Sequence, residues 1–266
     1  NRIVMRVKIF IISFFALQIS TKGQMESKSK FSKAIEDNSY LIEEAYNQED
    51  GIVQHISNGY RTLKPTKDFG YSFTQEWPVF IQKHQFSYTI GYSWLNSSAV
   101  NGISDFQLNY RYQLTGHDDF LTLSPRFSLI LPTGDEQKGL GSGVLGYQVN
   151  IPISKRLSNG LACHANFGYT LLPGVKSTDI NGDEVKNFIS NINLGGSLIW
   201  LATERLNIML EGVHYILRSA NSSNKMETSQ QTILSPGFRF AMDVKSLQIV
   251  PGFAVPITFQ DSESNA

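Results

Sequence analysis

Ten residues carry the polar chemistry this sequence could use: Glu76, Asn109, Arg111, Arg126, Gln148, Asn150, His164, Asn166, Glu211 and Arg239. Each falls in a stretch where apolar and polar residues alternate, and each lies on the polar side. Guanidiniums, carboxylates and amides sharing one face could line a wet lumen and select a polar or anionic solute. They could equally pair with one another and fill the space. The pattern offers no catalytic group. His164 and Asn166 share a face and, with a serine, would suggest a lipase-like site, but such a site needs a lipid-facing serine and both residues face inward.

The remaining candidates are weaker still. The histidines, at positions 55, 84, 117, 164 and 214, show no metal-ligand spacing, and no metal site is expected. Asp179, Asp183 and Glu184 cluster around an Asn181-Gly182 turn, and the stretch lacks the longer ligand series of an EF-hand. Gly134, Gly139, Gly141 and Gly143 match a phosphate loop only in glycine count, with no Gly-Lys-Ser/Thr ending and no helix to follow. Cys163 is the one cysteine, which excludes an internal disulfide and any multi-cysteine metal site. No cofactor is implied.

The elements that must position the ten residues are strands. From Gly51 onward the chain alternates with period two, which sends successive side chains to opposite faces of a sheet. Phe86, Tyr88, Ile90, Tyr92 and Trp94 oppose Ser87, Thr89, Gly91 and Ser93; Phe106, Leu108, Tyr110 and Tyr112 oppose Gln107, Asn109, Arg111 and Gln113. Eleven such strands can be traced between Gly51 and Phe259, mostly ~10 to 13 residues long. That exceeds the ~5 to 6 of ordinary sheets and fits a tilted bilayer crossing of ~9 to 11 residues. A soluble β-sandwich also alternates, with shorter strands and fewer aromatics at strand ends.

Connections alternate as well. If the first strand runs outward, the inner turns (78–83, 116–118, 154–159, 201–203 and 243–246) are short. The outer loops (62–67, 95–102, 132–142, 172–187 and 219–229) are mostly longer and rich in Gly, Asn, Ser and Asp. Single-chain bacterial barrels have even strand numbers. An odd count, with the chain stopping at Gln260 to Ala266, predicts about twelve strands of which the last is missing, and an open or imperfect seam.

Composition agrees with this class. Lys+Arg and Asp+Glu number 23 each, and charged residues make up 17%, below the roughly 25% of ordinary soluble domains. Balanced charge argues against a nucleic-acid partner, which needs a basic face. From Met5, Arg6 and Lys8 precede an apolar run from Ile9 to Leu17, the pattern of a secretory signal peptide with cleavage near Gly23 or Gln24. The run is too short for a spanning helix of ~20 residues. Residues 25–50 form an acidic lead-in with Glu36, Asp37, Glu43, Glu44, Glu49 and Asp50, read as a short helix around Tyr40 to Tyr46 or a flexible segment.

Two blocks, IEDNSYLIEEAYNQEDGIVQHI (35–56) and PRFSLILPTGDEQKGLGSGVLGYQVNIPIS (125–154), resemble the outer-membrane proteins grouped under the MetA-pathway of phenol degradation. The resemblance implies an outer-membrane barrel that passes small, aromatic or apolar compounds, and it brings no catalytic motif.

The sequence therefore predicts an all-β, antiparallel, transmembrane up-and-down barrel: residues 1–24 a signal peptide with upstream residues, 25–50 a lead-in or plug, and 51–266 the barrel. The expected role is a channel or transporter in the cell outer membrane, in contact with its lipid, for passive passage of a small molecule, and not an enzyme. The alternative is a structural or adhesive barrel with a closed lumen and binding loops. Oligomeric state is not legible.

Overall fold

The computed structural model describes residues 10–22, 39–63, 66–96, 98–116, 119–179, 181–220 and 225–260. Among the sequence expectations, Met5 to Ile9, the cleavage position near Gly23 or Gln24, the lead-in over 25–38 with Glu36 and Asp37, His117 and the end from residue 261 lie outside these residues.

Sixteen strands form: β1 Phe10–Lys22, β2 Ile52–Thr62, β3 Phe69–Val79, β4 Ile81–Leu95, β5 Val100–Ile103, β6 Phe106–Tyr112, β7 Thr122–Leu123, β8 Arg126–Leu131, β9 Gly146–Ser158, β10 Leu161–Thr178, β11 Glu184–Trp200, β12 Leu206–Ala220, β13 Met226–Phe240, β14 Met242–Val244, β15 Leu247–Ala254 and β16 Ile257–Gln260. Several are pieces of one stave. Arg126 to Leu131 pairs with β6 while Thr122 and Leu123 pair with β9, and the break between β7 and β8 falls at Ser124-Pro125. β15 and β16, separated by Val255-Pro256, both pair with β13 and with β1. Pro lacks the N–H a ladder needs, so strands are interrupted there.

Counted as staves, the result is a closed antiparallel barrel of twelve, each paired to its chain neighbours, with β5, β7 and β14 as additional pieces. The eleven strands traced in the sequence are all present. The twelfth stave is N-terminal: β1 pairs along its length with β2 and with β15, for example Ala16 opposite both Asn58 and Gly252. The seam expected to gape is closed by this apolar run.

Two further differences concern the connections. Where a long loop was expected over 172–187, β10 and β11 continue as a ribbon to Thr178 and Glu184, leaving a turn in which the Asp179 carboxylate accepts the Asn181 and Asp183 N–H groups, each at 2.9 Å. Strands of 15 to 18 residues extend about 50 to 60 Å at ~3.3 Å per residue, more than the bilayer needs, so the hairpins stand clear of it at one end. The loop expected at 95–102 contains β5, which folds back on β4.

Burial is the reverse of a soluble protein's. Phe86, Trp94, Phe167, Leu198, Trp200 and Phe238 are exposed, whereas Asn109, Arg111, Asn150, His164, Glu211 and Arg239 are buried. An apolar outer surface around a polar interior is stable only if the outer solvent is itself apolar. Strand backbones closed into a cylinder leave no edge unpaired, which is what hydrocarbon demands. No helix among the described residues is long and apolar enough to cross a membrane.

Candidate functional site: a plugged lumen

Inside the barrel lies the segment from Ser39 to Gln48. It is neither helix nor strand, because its backbone groups are spent on the wall instead of on each other. This corrects the helix expected around Tyr40 to Tyr46.

Its first turn is held by Glu211 on β12. The carboxylate, completely buried, accepts backbone N–H groups from Tyr40 (2.9 Å), Leu41 (3.0 Å) and Ile42 (3.3 Å). Arg239 on β13 lies over the Tyr40 ring, 4.2 Å from its centre, and donates to the Ser39 carbonyl. The Tyr40 hydroxyl donates to the Phe238 carbonyl at 2.8 Å. Burial pushes the Tyr40 phenol up to about 12, with Arg239 opposing and Glu211 reinforcing the shift. The wall makes room by omission. A Cβ at Gly252 would strike the Tyr40 hydroxyl, and one at Gly195 would strike Ile42 Cδ1.

The middle of the segment is an ionic knot. Glu43 takes Arg126 Nε at 2.8 Å and Arg111 Nη1 at 3.3 Å, and Asn150 Nδ2 at 2.5 Å. Asn166 clamps the Glu43 backbone from both sides, accepting its N–H (2.7 Å) and donating to its carbonyl (2.6 Å). Burial raises the Glu43 carboxyl, but the Arg126 and Arg111 guanidiniums, with hydrogen bonds from Asn150 and Arg126, outweigh it and hold the group below the usual carboxylate range.

Arg111 donates to the Glu44 and Tyr46 carbonyls and to Asn47 Oδ1 as well. Arg126 ties the knot to the wall through Asn109, Ser128 and Gln148. Gln148 passes the network on to Thr170.

Further along, Ala45 N–H donates to Ser154 Oγ (2.8 Å), its carbonyl accepts from Ser124 Oγ (2.5 Å), and Ser154 Oγ lies 2.7 Å from His164 Nδ1. Asn47 and Gln48 are anchored by Gln113 and Gln85, and Asn47 reaches the Gln82 and Lys83 carbonyls beside the β3–β4 turn. The segment therefore fills the half of the lumen nearest the short turns.

The structure brings all ten sequence candidates to this segment or its immediate supports. Arg111, Arg126, Asn150, Asn166, Glu211 and Arg239 bond it or lie over it, and the His164 ring meets the Tyr46 ring edge-on. Asn109 and Gln148 stand behind Arg126, and Glu76 stands behind Gln85, accepting from its Nε2 at 3.0 Å. Ser154 and His164 form a close pair, but both are buried against Ala45 and Tyr46, and Asn166 is committed to Glu43. Sequence reasoning missed Ser124, Ser154, Gln85 and Gln113 as anchors. Gln85 and Ser154 lie on the polar side of β4 and β9, and Gln113 and Ser124 continue the same alternation just past β6 and β7, so alternation could have found them.

Beyond the segment, a cavity of about 220 Å³ opens between Glu43, Glu44 and Tyr46 on one side and β2, β3, β4 and β6 on the other.

No protein-family model matches this chain, and no curated protein matches it. Among solved structures, the NanC porin is similar over 77% of this chain and 98% of its own, with a TM-score of 0.44 and 12% identity. An outer membrane channel from Pseudomonas putida F1 is similar over 97% of each chain (TM-score 0.48, 8% identity). A deletion mutant of the TodX monoaromatic hydrocarbon channel covers 95% of this chain and 89% of its own (TM-score 0.32, 8% identity).

Proposed function

We propose that this protein is an outer-membrane channel that lets a small solute cross down its gradient, with Ser39 to Gln48 as a resident plug. The observation that carries the reading is the nature of the contact. The plug is held to the wall by hydrogen bonds and ion pairs in a polar lumen, where water can replace each bond as the segment leaves. A segment packed as a dry apolar core would have no such exchange. The apolar belt and the paired ladder of β2 to β16 support residence in lipid, and the basic and apolar stretch over residues 5–17 supports export across an inner membrane; export that removes this stretch takes β1 with it and leaves β2 and β15 to be joined by another strand.

Swelling of liposomes bearing the full chain, compared with a variant lacking residues 39–48, tests it. Slow swelling with the full chain and fast swelling with the deletion is expected. Impermeability of both, with the barrel folded, overturns the channel.

A second reading has one observation in its favour. The Glu43 knot and the Glu211 anchor satisfy the segment so fully that the lumen could be permanently shut, leaving a structural or adhesive barrel whose long hairpins bind partners. Deleting a hairpin would then abolish surface binding without altering permeability.

A further inference from the structure

Two rungs of the barrel ladder cross the wall of the 220 Å³ cavity. Thr74 on β3 is opposite Thr89 on β4, which is opposite Gln107 on β6; Glu76 is opposite Ser87, which is opposite Asn109. Neighbouring strands lie ~4.8 Å apart, so the rungs present a grid of hydroxyls, amides and a carboxylate on one surface. Ionisable groups around the cavity balance, with Glu43, Glu44 and Glu76 against Arg111, Arg126 and Arg239. On β2, Asn58 lines the same cavity, and its buried side-chain oxygen has no hydrogen-bond partner.

We infer that this cavity is a binding station for a small, uncharged, polyhydroxylated solute of the sugar or polyol class. The inference rests on the channel reading only for what the station serves; binding itself does not require transport. A volume of 220 Å³ holds about seven waters at ~30 Å³ each, enough for a molecule of monosaccharide size.

The lining decides the class. A solute with hydroxyls around a ring can give and take hydrogen bonds across both rungs and meets the Asn58 amide on β2. An apolar or aromatic solute, the kind the family resemblance implies, would strip water from the same hydroxyls and amides and return nothing. A polar group left unpaired in this way weighs more than the burial of one ring edge gains. A net charge would be unmatched, since the surrounding charges already cancel.

Calorimetric titration of the full chain in detergent with glucose, and separately with benzoate, tests the inference. The variant T74V/T89V keeps the volume and removes both members of one hydroxyl pair, which hydrogen-bond each other at 2.8 Å, so neither is left orphaned. Glucose is expected to bind the wild type and to bind the variant about tenfold more weakly, with benzoate showing no saturable heat. N58L, which does not touch that pair, is expected to weaken glucose independently. Equal glucose affinity in all three proteins, no glucose binding by folded wild type, or tighter binding of benzoate overturns the inference. Glucose binding by a barrel that fails to swell liposomes even without residues 39–48 would instead sink the channel and leave the station standing.

Discussion

Glu43 Oε2 lies 2.8 Å from Arg126 Nε, joining the segment inside the lumen to a strand that begins 83 residues later. Arg126 is in turn bonded to Asn109, Ser128 and Gln148, so this contact couples the plug to a network that belongs to the barrel wall.

Replacing Glu43 with Gln should loosen the plug. Two guanidiniums would face a neutral amide, and breaking a buried pair from one side costs about 3 to 5 kcal/mol. Arg126 and Glu43 are partly solvated, with side chains 16% and 22% exposed, so about 2 to 3 kcal/mol of plug docking is the expected loss. Single-channel recording checks it: E43Q should show openings far more often than wild type. R126Q combined with E43Q should add little, because the two changes remove the same contact.

Acid should act on the same contact. The Glu43 carboxyl is held below its unfolded value, so its stabilisation is complete above the unfolded pKa of roughly 4.3 and is lost as pH falls through the lower, docked value. Conductance should be flat from pH 8 to about 5 and rise below about 4. E43Q should lack that rise, and a wild type whose openings increase from pH 7 to 6 would show that another group governs the plug.

The two ends of the plug should differ in cost. Glu211→Leu leaves three backbone N–H groups unpaired, whereas Ser154→Ala removes one acceptor. At about 1 to 3 kcal/mol for each orphaned buried donor, E211L should expose the segment around Tyr40 to protease far more than S154A does. Equal digestion of both variants would mean that Glu211 is not the anchor.

The first stave can be tested by crosslinking. Ala16 and Asn58 are register partners. In a Cys163→Ala background, A16C/N58C should form a disulfide in the full chain refolded in detergent. Protein exported by cells should instead begin near Gly23 or Gln24 by mass, without the crosslink. Retention of residues 5–22 in the exported protein would refute the signal peptide.

Most of the barrel is legible in the sequence because period two commits each residue to a face: Arg111 and Arg239 could be placed inward from Tyr110 and Phe238 alone. The partner of Arg111 could not. Glu43 belongs to a segment with no periodicity, and its position depends on side chains contributed by strands that become neighbours only after closure. The Phe10–Lys22 run was legible as apolar, but a short apolar run reads alike as a leader or a stave. The reach of β10 and β11 past the membrane was hidden because polar residues there suit a solvated ribbon as well as a loop.

Apart from Gln48 and Gln54, six residues apart, the anchors of the plug join positions far apart in the chain, from 35 residues for Asn47 and Gln82 to 200 for Ser39 and Arg239. Arg111 on β6 and Glu211 on β12 stand five staves apart, so no single hairpin offers both. The segment therefore gains its docking energy only after the cylinder has closed, which makes it a late arrival in assembly. In hydrogen exchange, the amides of Tyr40, Leu41 and Ile42 should report on closure of the whole barrel, although they belong to no strand of it.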